Sequence, residues 1–118
     1  MLESAIQNKI RCSLSSADRV VFRANAGEFW QGKQVFSKEF NQSVLINLRK
    51  VDGLPKGFSD LFSVDRQGVA FIETKTPAGK PSPEQIKFIN RMRELGHRAG
   101  IARSVEDALK IVGGEKND

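Results

Sequence analysis

Asp60, Glu73 and Lys75 are the residues whose types and spacing could do chemistry. Side chains alternate along a strand, so Glu73 and Lys75, two apart at the end of the apolar run Val69-Ala70-Phe71-Ile72, project from one face. A second apolar run, Leu61-Phe62-Ser63-Val64, precedes it, and Asp65-Arg66-Gln67-Gly68 between them reads as a turn. The two runs are predicted to form a hairpin. Pairing of Asp65 with Gly68 sets Asp60 opposite Glu73, and a glycine bulge would slip this by one residue. Opposed residues have Cβ atoms about 4.5–5.5 Å apart. Two carboxylates that close repel unless a cation sits between them, and oxygen ligands favour a hard ion such as Mg²⁺ or Mn²⁺. Such an ion would polarise a phosphate oxygen and acidify a bound water. Lys75 beside it would steer the attacking water or stabilise the extra charge of the transition state. Together these are the parts for phosphodiester hydrolysis. The competing reading is a solvated surface pair, since Glu-x-Lys is short and cross-strand charges often decorate exposed faces. In favour of a site, Glu73 and Lys75 close an apolar strand, and Asp60 lies at the far end of its partner.

The rest of the chain must position these three groups. Leu2, Ile6, Ile10 and Leu14 recur every four residues, the stripe of an amphipathic helix that Ser15-Ser16 ends. Arg19-Val20-Val21-Phe22-Arg23 reads as a buried strand, broken by Asn25-Ala26-Gly27, a turn assigned to the rim of the site. Residues 28–42 carry little pattern beyond a strand around Gln34-Val35-Phe36, and Val44 to Leu48 reads as another. Val51 to Gly57 is dense in turn residues. Ser82-Pro83-Glu84-Gln85 opens a helix with a capping serine, a first-turn proline and a capping-box glutamine. Ile86, Phe88, Ile89, Met92 and Leu95 give that helix an apolar side, and Gly96 stops it. Ala99 to Ala102 is a short strand, and Ser104 caps a last helix that ends at Gly113-Gly114. The order α-β-(β)-β-β-β-α-β-α predicts one mixed α/β domain with a single sheet over residues 1–118.

At 118 residues, with 39% hydrophobic and 28% charged, the chain has the composition of one folded domain rather than a disordered segment. No apolar run nears the roughly 18 residues needed to cross a bilayer, and Met1-Leu2-Glu3-Ser4-Ala5 does not read as a signal peptide. One cysteine and one histidine, Cys12 and His97, exclude a disulfide framework and a conventional zinc site. A reducing, cytoplasmic compartment is expected, with Cys12 packed in the core and His97 at the surface. Nineteen Lys and Arg against fourteen Asp and Glu leave a net charge of +5 and a pI near 9.7. That suits a nucleic-acid partner, although it also suits a basic surface that merely keeps the protein soluble. Lys80, Lys87, Arg91 and Arg98 are candidate phosphate contacts, with solvated faces as the alternative.

Three stretches carry a resemblance to a known family. Gly57-Phe58-Ser59-Asp60-Leu61-Phe62, Gly68 to Thr76 through Glu73-Thr74-Lys75, and Gly79-Lys80-Pro81-Ser82-Pro83-Glu84-Gln85 together resemble the VRR-NUC branch of the PD-(D/E)XK nucleases. Gly96 to Leu109 is similar to its closing strand and helix. The resemblance implies a restriction-endonuclease-like core, a mixed central sheet flanked by helices in an α-β-β-β-α-β arrangement. By the same resemblance Asp60, Glu73 and Lys75 are the motif residues and Gln85 is the glutamine beside the active site. Glu3 is then the N-terminal acidic residue, and the Thr74 carbonyl is a further metal ligand. Ser59 departs from the family's usual proline before the aspartate. Small stand-alone members resemble homodimeric enzymes of bacteria and phages that act on branched DNA such as four-way junctions. The expectation is therefore a Mg²⁺- or Mn²⁺-dependent endodeoxyribonuclease. The alternatives are a catalytically silent basic DNA-binding module and an endonuclease without branch preference. Gln85 has a rival role in the Ser82 capping box, and the two roles are expected to exclude each other at any instant. Phe29, Trp30, Val35, Phe36 and Phe40 either form a dimer interface or finish the monomer's core.

Overall fold

Ile6, Ile10 and Leu14 give α1 (Glu3–Leu14) its buried stripe, and Gln7 is buried beside them. The computed structural model describes residues 2–115. The central hairpin pairs β4 (Leu61–Asp65) with β5 (Gly68–Thr74) in the register Asp65↔Gly68, Phe62↔Phe71, Leu61↔Ile72, without a bulge. Gly68 takes the positive φ of 107° that the turn requires. β1 (Val20–Arg23) joins β4 antiparallel, while β6 (Arg98–Ala102) joins β5 in parallel, giving the order β1-β4-β5-β6. A parallel neighbour needs a crossover, and α2 (Pro83–Glu94) supplies it. α3 (Val105–Val112) follows β6.

The two sheet faces are covered differently. Leu61, Ala70 and Ile72 pack with Ile6, Ile10 and Leu14 of α1 and with Ala108 and Ile111 of α3. On the other face Ile89 of α2 packs with Ala99 and Ile101, flanked by Phe71, Phe88 and Met92. Each fully buried Leu or Ile contributes about 1.5–3 kcal/mol. Three helices around a mixed sheet make a restriction-endonuclease-like α/β fold, with elements in the order read from the sequence.

Four expectations are corrected. β1 is an edge strand, with Val20, Phe22 and Arg23 exposed and Val21 packed against the core, because among the described residues no strand pairs with its outer side. Ile86 and Leu95 stand at 45% and 53% exposure, so the apolar side of α2 is narrower than the sequence pattern. Cys12 is exposed rather than packed. Among the described residues the single sheet is in fact two, since β2 (Glu28–Ser37) and β3 (Gln42–Asp52) pair with each other and neither joins the four-stranded sheet. This ribbon forms an arm, with a register shift between Gln31 and Lys33 and Asn47 at φ 54°. At its root the two legs are zipped to each other, through Gly27 N–H to the Leu54 carbonyl, Gly53 N–H to Gly27 and Leu54 N–H to Asn25, and Ala24 N–H ties the incoming leg to the Asp60 carbonyl of the body.

Behind the β4–β5 turn, Asp65 accepts from Arg19 and from both terminal nitrogens of Arg98. Arg98 also donates to the carbonyls of Val112 and Gly68, and Arg19 to that of Leu14, so each arginine closes the end of a helix. These bonds hold the Asp65 carboxyl down at about 2.

Candidate active site

Gly57 determines how the chain enters the site. It adopts φ 93°, and a Cβ there would lie 2.5 Å from the Glu84 carbonyl oxygen. Only glycine lets residues 57–60 run against the first turn of α2, which brings Gln85 beside Asp60 and Glu73. Ser59, which stands where the resemblance implies a proline, is fully buried and donates its Oγ–H to the Leu61 carbonyl. A hydrogen bond thus holds the bend that a ring would otherwise fix.

The hairpin register places Asp60 directly opposite Glu73, one step beyond Leu61↔Ile72. Asp60 N–H donates to Glu73 Oε2 at 3.1 Å, and Thr74 N–H donates to Asp60 Oδ1 at 2.9 Å. Gln7 Nε2 donates to Asp60 Oδ2 at 2.9 Å. Gln85 Nε2 donates to Glu73 Oε1 at 2.9 Å, and Lys75 Nζ lies 3.8 Å from the same oxygen. Lys75 follows β5 by one residue and still shares a face with Glu73, as alternation requires. Glu3 comes from α1, one turn before Gln7 and on the same side of the helix. Carboxylate oxygens of Glu3, Asp60 and Glu73 all lie within 4.8 Å of one another.

These acids repel one another. Burial, with Asp60 adding to it, pushes the Glu73 carboxyl up to about 8 against the opposing pull of Lys75. Burial also raises Asp60, against the hydrogen bonds from Thr74 and Gln7. Ionised together, three converging carboxylates with one ammonium beside them would leave negative charge uncompensated. An all-oxygen donor set of that charge fits a hard divalent cation of the Mg²⁺ or Mn²⁺ type.

Gln85 serves the capping box and the site at once. Its Oε1 accepts from Ser82 N–H at 2.8 Å while its Nε2 holds Glu73, and Ser82 Oγ accepts from Gln85 N–H at 3.2 Å. The expectation that these roles exclude each other is corrected, because the two ends of one amide do both. Gln7 was missed. The signal for it was in the sequence, since Glu3 and Gln7 are four apart on a helix. Asn25 and Ala26 do line the rim of the cavity that holds Glu3, Asp60 and Glu73.

The basic candidates divide. Lys80 is exposed in the loop before α2, and Lys87 and Arg91 are exposed on that helix, where Arg91 also meets Glu94 at 3.1 Å. Arg98 is corrected: its side chain is 12% exposed, it is fully engaged by Asp65, Gly68 and Val112, and it lies at the opposite end of the β4–β5 hairpin from Asp60 and Glu73. Thr74 is buried with its N–H on Asp60.

The family model of the VRR-NUC domain matches residues 1–106 of the chain. The chain belongs to the VRR-NUC family. Its domain is therefore a nuclease domain, and all the residues of the acidic cluster, with Gln7, Lys75 and Gln85, fall inside the matched span. No curated protein and no solved structure matches the chain.

Proposed function

We propose that this VRR-NUC domain is a Mg²⁺- or Mn²⁺-dependent endodeoxyribonuclease, selective for branched DNA such as four-way junctions and active as a homodimer. The observation that carries the reading is the meeting of Glu3, Asp60 and Glu73 within 4.8 Å, with Lys75 and Gln85 on Glu73. Glu3, Asp60, Glu73 and the Thr74 carbonyl would hold the ion. When bound, it supplies Lewis-acid polarisation of the phosphate and a more acidic water. The chain's own residues do the positioning. Gln7 and the Thr74 N–H fix the two oxygens of Asp60, and Gln85 fixes the rotamer of Glu73. Lys75, 13% exposed, is a buried cation poised for the charge that develops on a pentacovalent phosphorus. Lys80, Lys87 and Arg91 supply phosphate contacts alongside.

The arm supports the dimer. Trp30, Phe36, Phe40, Leu45 and Leu48 are 48–64% exposed, so these side chains do not finish the monomer's core. A lone two-stranded ribbon is marginal in water, and exposed apolar patches of this kind mark interfaces. Among the described residues there is one acidic cluster, and symmetric cutting of a two-fold branch requires two copies. Among the described residues no helix is long and apolar enough to cross a membrane, and the reading places the enzyme in the cytoplasm of a bacterium or phage-infected cell.

The test is a labelled four-way junction incubated with Mg²⁺ or Mn²⁺ and again with EDTA, beside flap and linear duplex. Metal-dependent junction cleavage is expected, lost in Asp60→Asn and Lys75→Ala with binding nearly intact. Binding without cleavage would mean a silent module, and equal cutting of linear duplex would remove the branch preference. Light scattering after gel filtration is expected to give a dimer; a monomer at micromolar concentration, with and without DNA, overturns that part.

A further inference from the structure

Two cavities meet at the root of the arm. One, of about 490 Å³, contains Glu3, Asp60 and Glu73 in its wall together with Arg23, Asn25 and Phe29. The other, of about 810 Å³, passes Leu54 and Lys56 to reach Ser82 and Gln85. Both include Ala26 and Glu28, so a continuous trough runs past the carboxylates toward the first turn of α2.

Phe29 faces this trough in an unusual way. The ring is 44% exposed, yet it is backed by main chain. A Cβ on Gly53 would come within 3.3 Å of its Cε1 and within 2.8 Å of the Asn25 carbonyl oxygen. Glycine at 53 therefore lets the ring rest on the zipped root of the arm, braced on one side and open to water elsewhere. Arg23 ends β1 opposite Leu61, next to Asp60, and it is exposed and forms no ion pair among the described residues. Glu28, at the junction of the two cavities, is paired with Lys50 at 2.9 Å. An aromatic plane, an open guanidinium and a cluster suited to a cation thus share one cavity of a size that takes small ligands.

We infer, resting on the nuclease reading above, that Phe29 and Arg23 form a site for one unpaired nucleotide adjoining the phosphate to be cut. The base stacks on Phe29, and Arg23 takes a flanking phosphate. A fully paired duplex keeps its bases inside the helix and offers none to this ring, whereas a single-stranded end does, and so does a branch point where the strand exchange lets a pair open. Every base has a π-face, so the site selects unpaired structure rather than sequence. Branch preference then resides in Phe29, outside the cation-binding cluster.

The test uses the full chain and a four-way junction carrying 5-iododeoxyuridine at single positions, irradiated with metal-free protein. Cross-links from branch-point nucleotides are expected on the peptide containing Phe29, with none from nucleotides deep in the paired arms. Phe29→Leu keeps an apolar side chain but removes the π-face. It is expected to lower junction cleavage roughly 10- to 100-fold, the range a lost base–aromatic stack gives, while Phe29→Trp stays near wild type. Arg23→Gln is expected to reduce the slope of log K against log salt by about 1. Cross-links confined to other residues, or a folded Phe29→Leu that cuts junctions like wild type, would overturn the site. Should Phe29→Leu fail to fold, the wild-type cross-link decides. Failure of the wild type to cut any substrate with Mn²⁺ would instead strike the nuclease reading, and the cross-link would still decide the nucleotide site.

Discussion

Gln85→Ala removes two bonds from opposite ends of one amide, and their contributions can be separated. The loss of Oε1 leaves Ser82 N–H without its capping-box acceptor, a cost of about 1 kcal/mol. The loss of Nε2 leaves Glu73 Oε1, in a residue 3% exposed, without its amide donor for another 1–2 kcal/mol or so. Gln85→Ala is therefore expected to destabilise by roughly 2–3 kcal/mol, which lowers the melting temperature by about 10 °C in a domain of this size. Ser82→Ala breaks only the bond from Gln85 N–H and is expected to cost about 1 kcal/mol. Gln85→Glu keeps a capping-box acceptor but sets a fourth acid against Glu3, Asp60 and Glu73, so its metal-free form is destabilised further as pH rises. Urea unfolding followed by far-UV circular dichroism measures the stabilities, since Trp30 stands on the arm and reports poorly on the body. On junction cleavage, Ser82→Ala is expected to stay within about threefold of wild type and both Gln85 variants to fall at least roughly tenfold, the scale of a misplaced site group. If Ser82→Ala and Gln85→Ala cost the same stability and both cut like wild type, the amide is a helix cap alone and the dual role is wrong.

Three further outcomes are expected. In the metal-free protein, burial raises Glu73 from 4.5 to about 8, so its contribution to stability is fully present below about pH 4.5 and is lost as pH rises through 8; urea midpoints at pH 5, 6.5 and 8 measure this, and Glu73→Gln should flatten the trend. A divalent cation should offset the same repulsion, raising the melting temperature of wild type at pH 7.5 with a saturating dependence on Mn²⁺ that Asp60→Asn lacks. Arg98→Ala breaks the Asp65 clamp and is expected to cost about 3 kcal/mol while leaving the salt dependence of DNA binding unchanged; Lys87→Ala should do the reverse, losing about one unit of salt slope with its melting temperature kept.

What the sequence revealed and what it hid follow from how local each signal is. The Asp60–Glu73 pairing was legible because a short turn with a glycine fixes register, and register dictates which side chains face each other. The capping box was legible because its residues lie within one turn of helix. Arg98 could not be placed from the sequence, since Asp65, Gly68 and Val112 are distant in the chain and only the closed fold gathers them. Gln7 needed the docking of α1 against the loop before β4, although its spacing from Glu3 was visible. The arm was legible only as two short strands, around residues 34–36 and over residues 44–48; their full length and their separation from the main sheet escaped because they lack a second layer, so neither face imposes a clean alternation of polar and apolar residues.

Glu3 and Gln7 reach the cluster from the far N-terminal side of the chain, more than fifty residues from their partner Asp60. Local hairpin formation alone brings two acids together; the remaining members arrive only when the first helix closes a long loop onto the sheet. Half-built copies emerging during synthesis thus carry an incomplete cation cradle. In a nuclease domain the acidic cluster is then complete only once the first helix has docked.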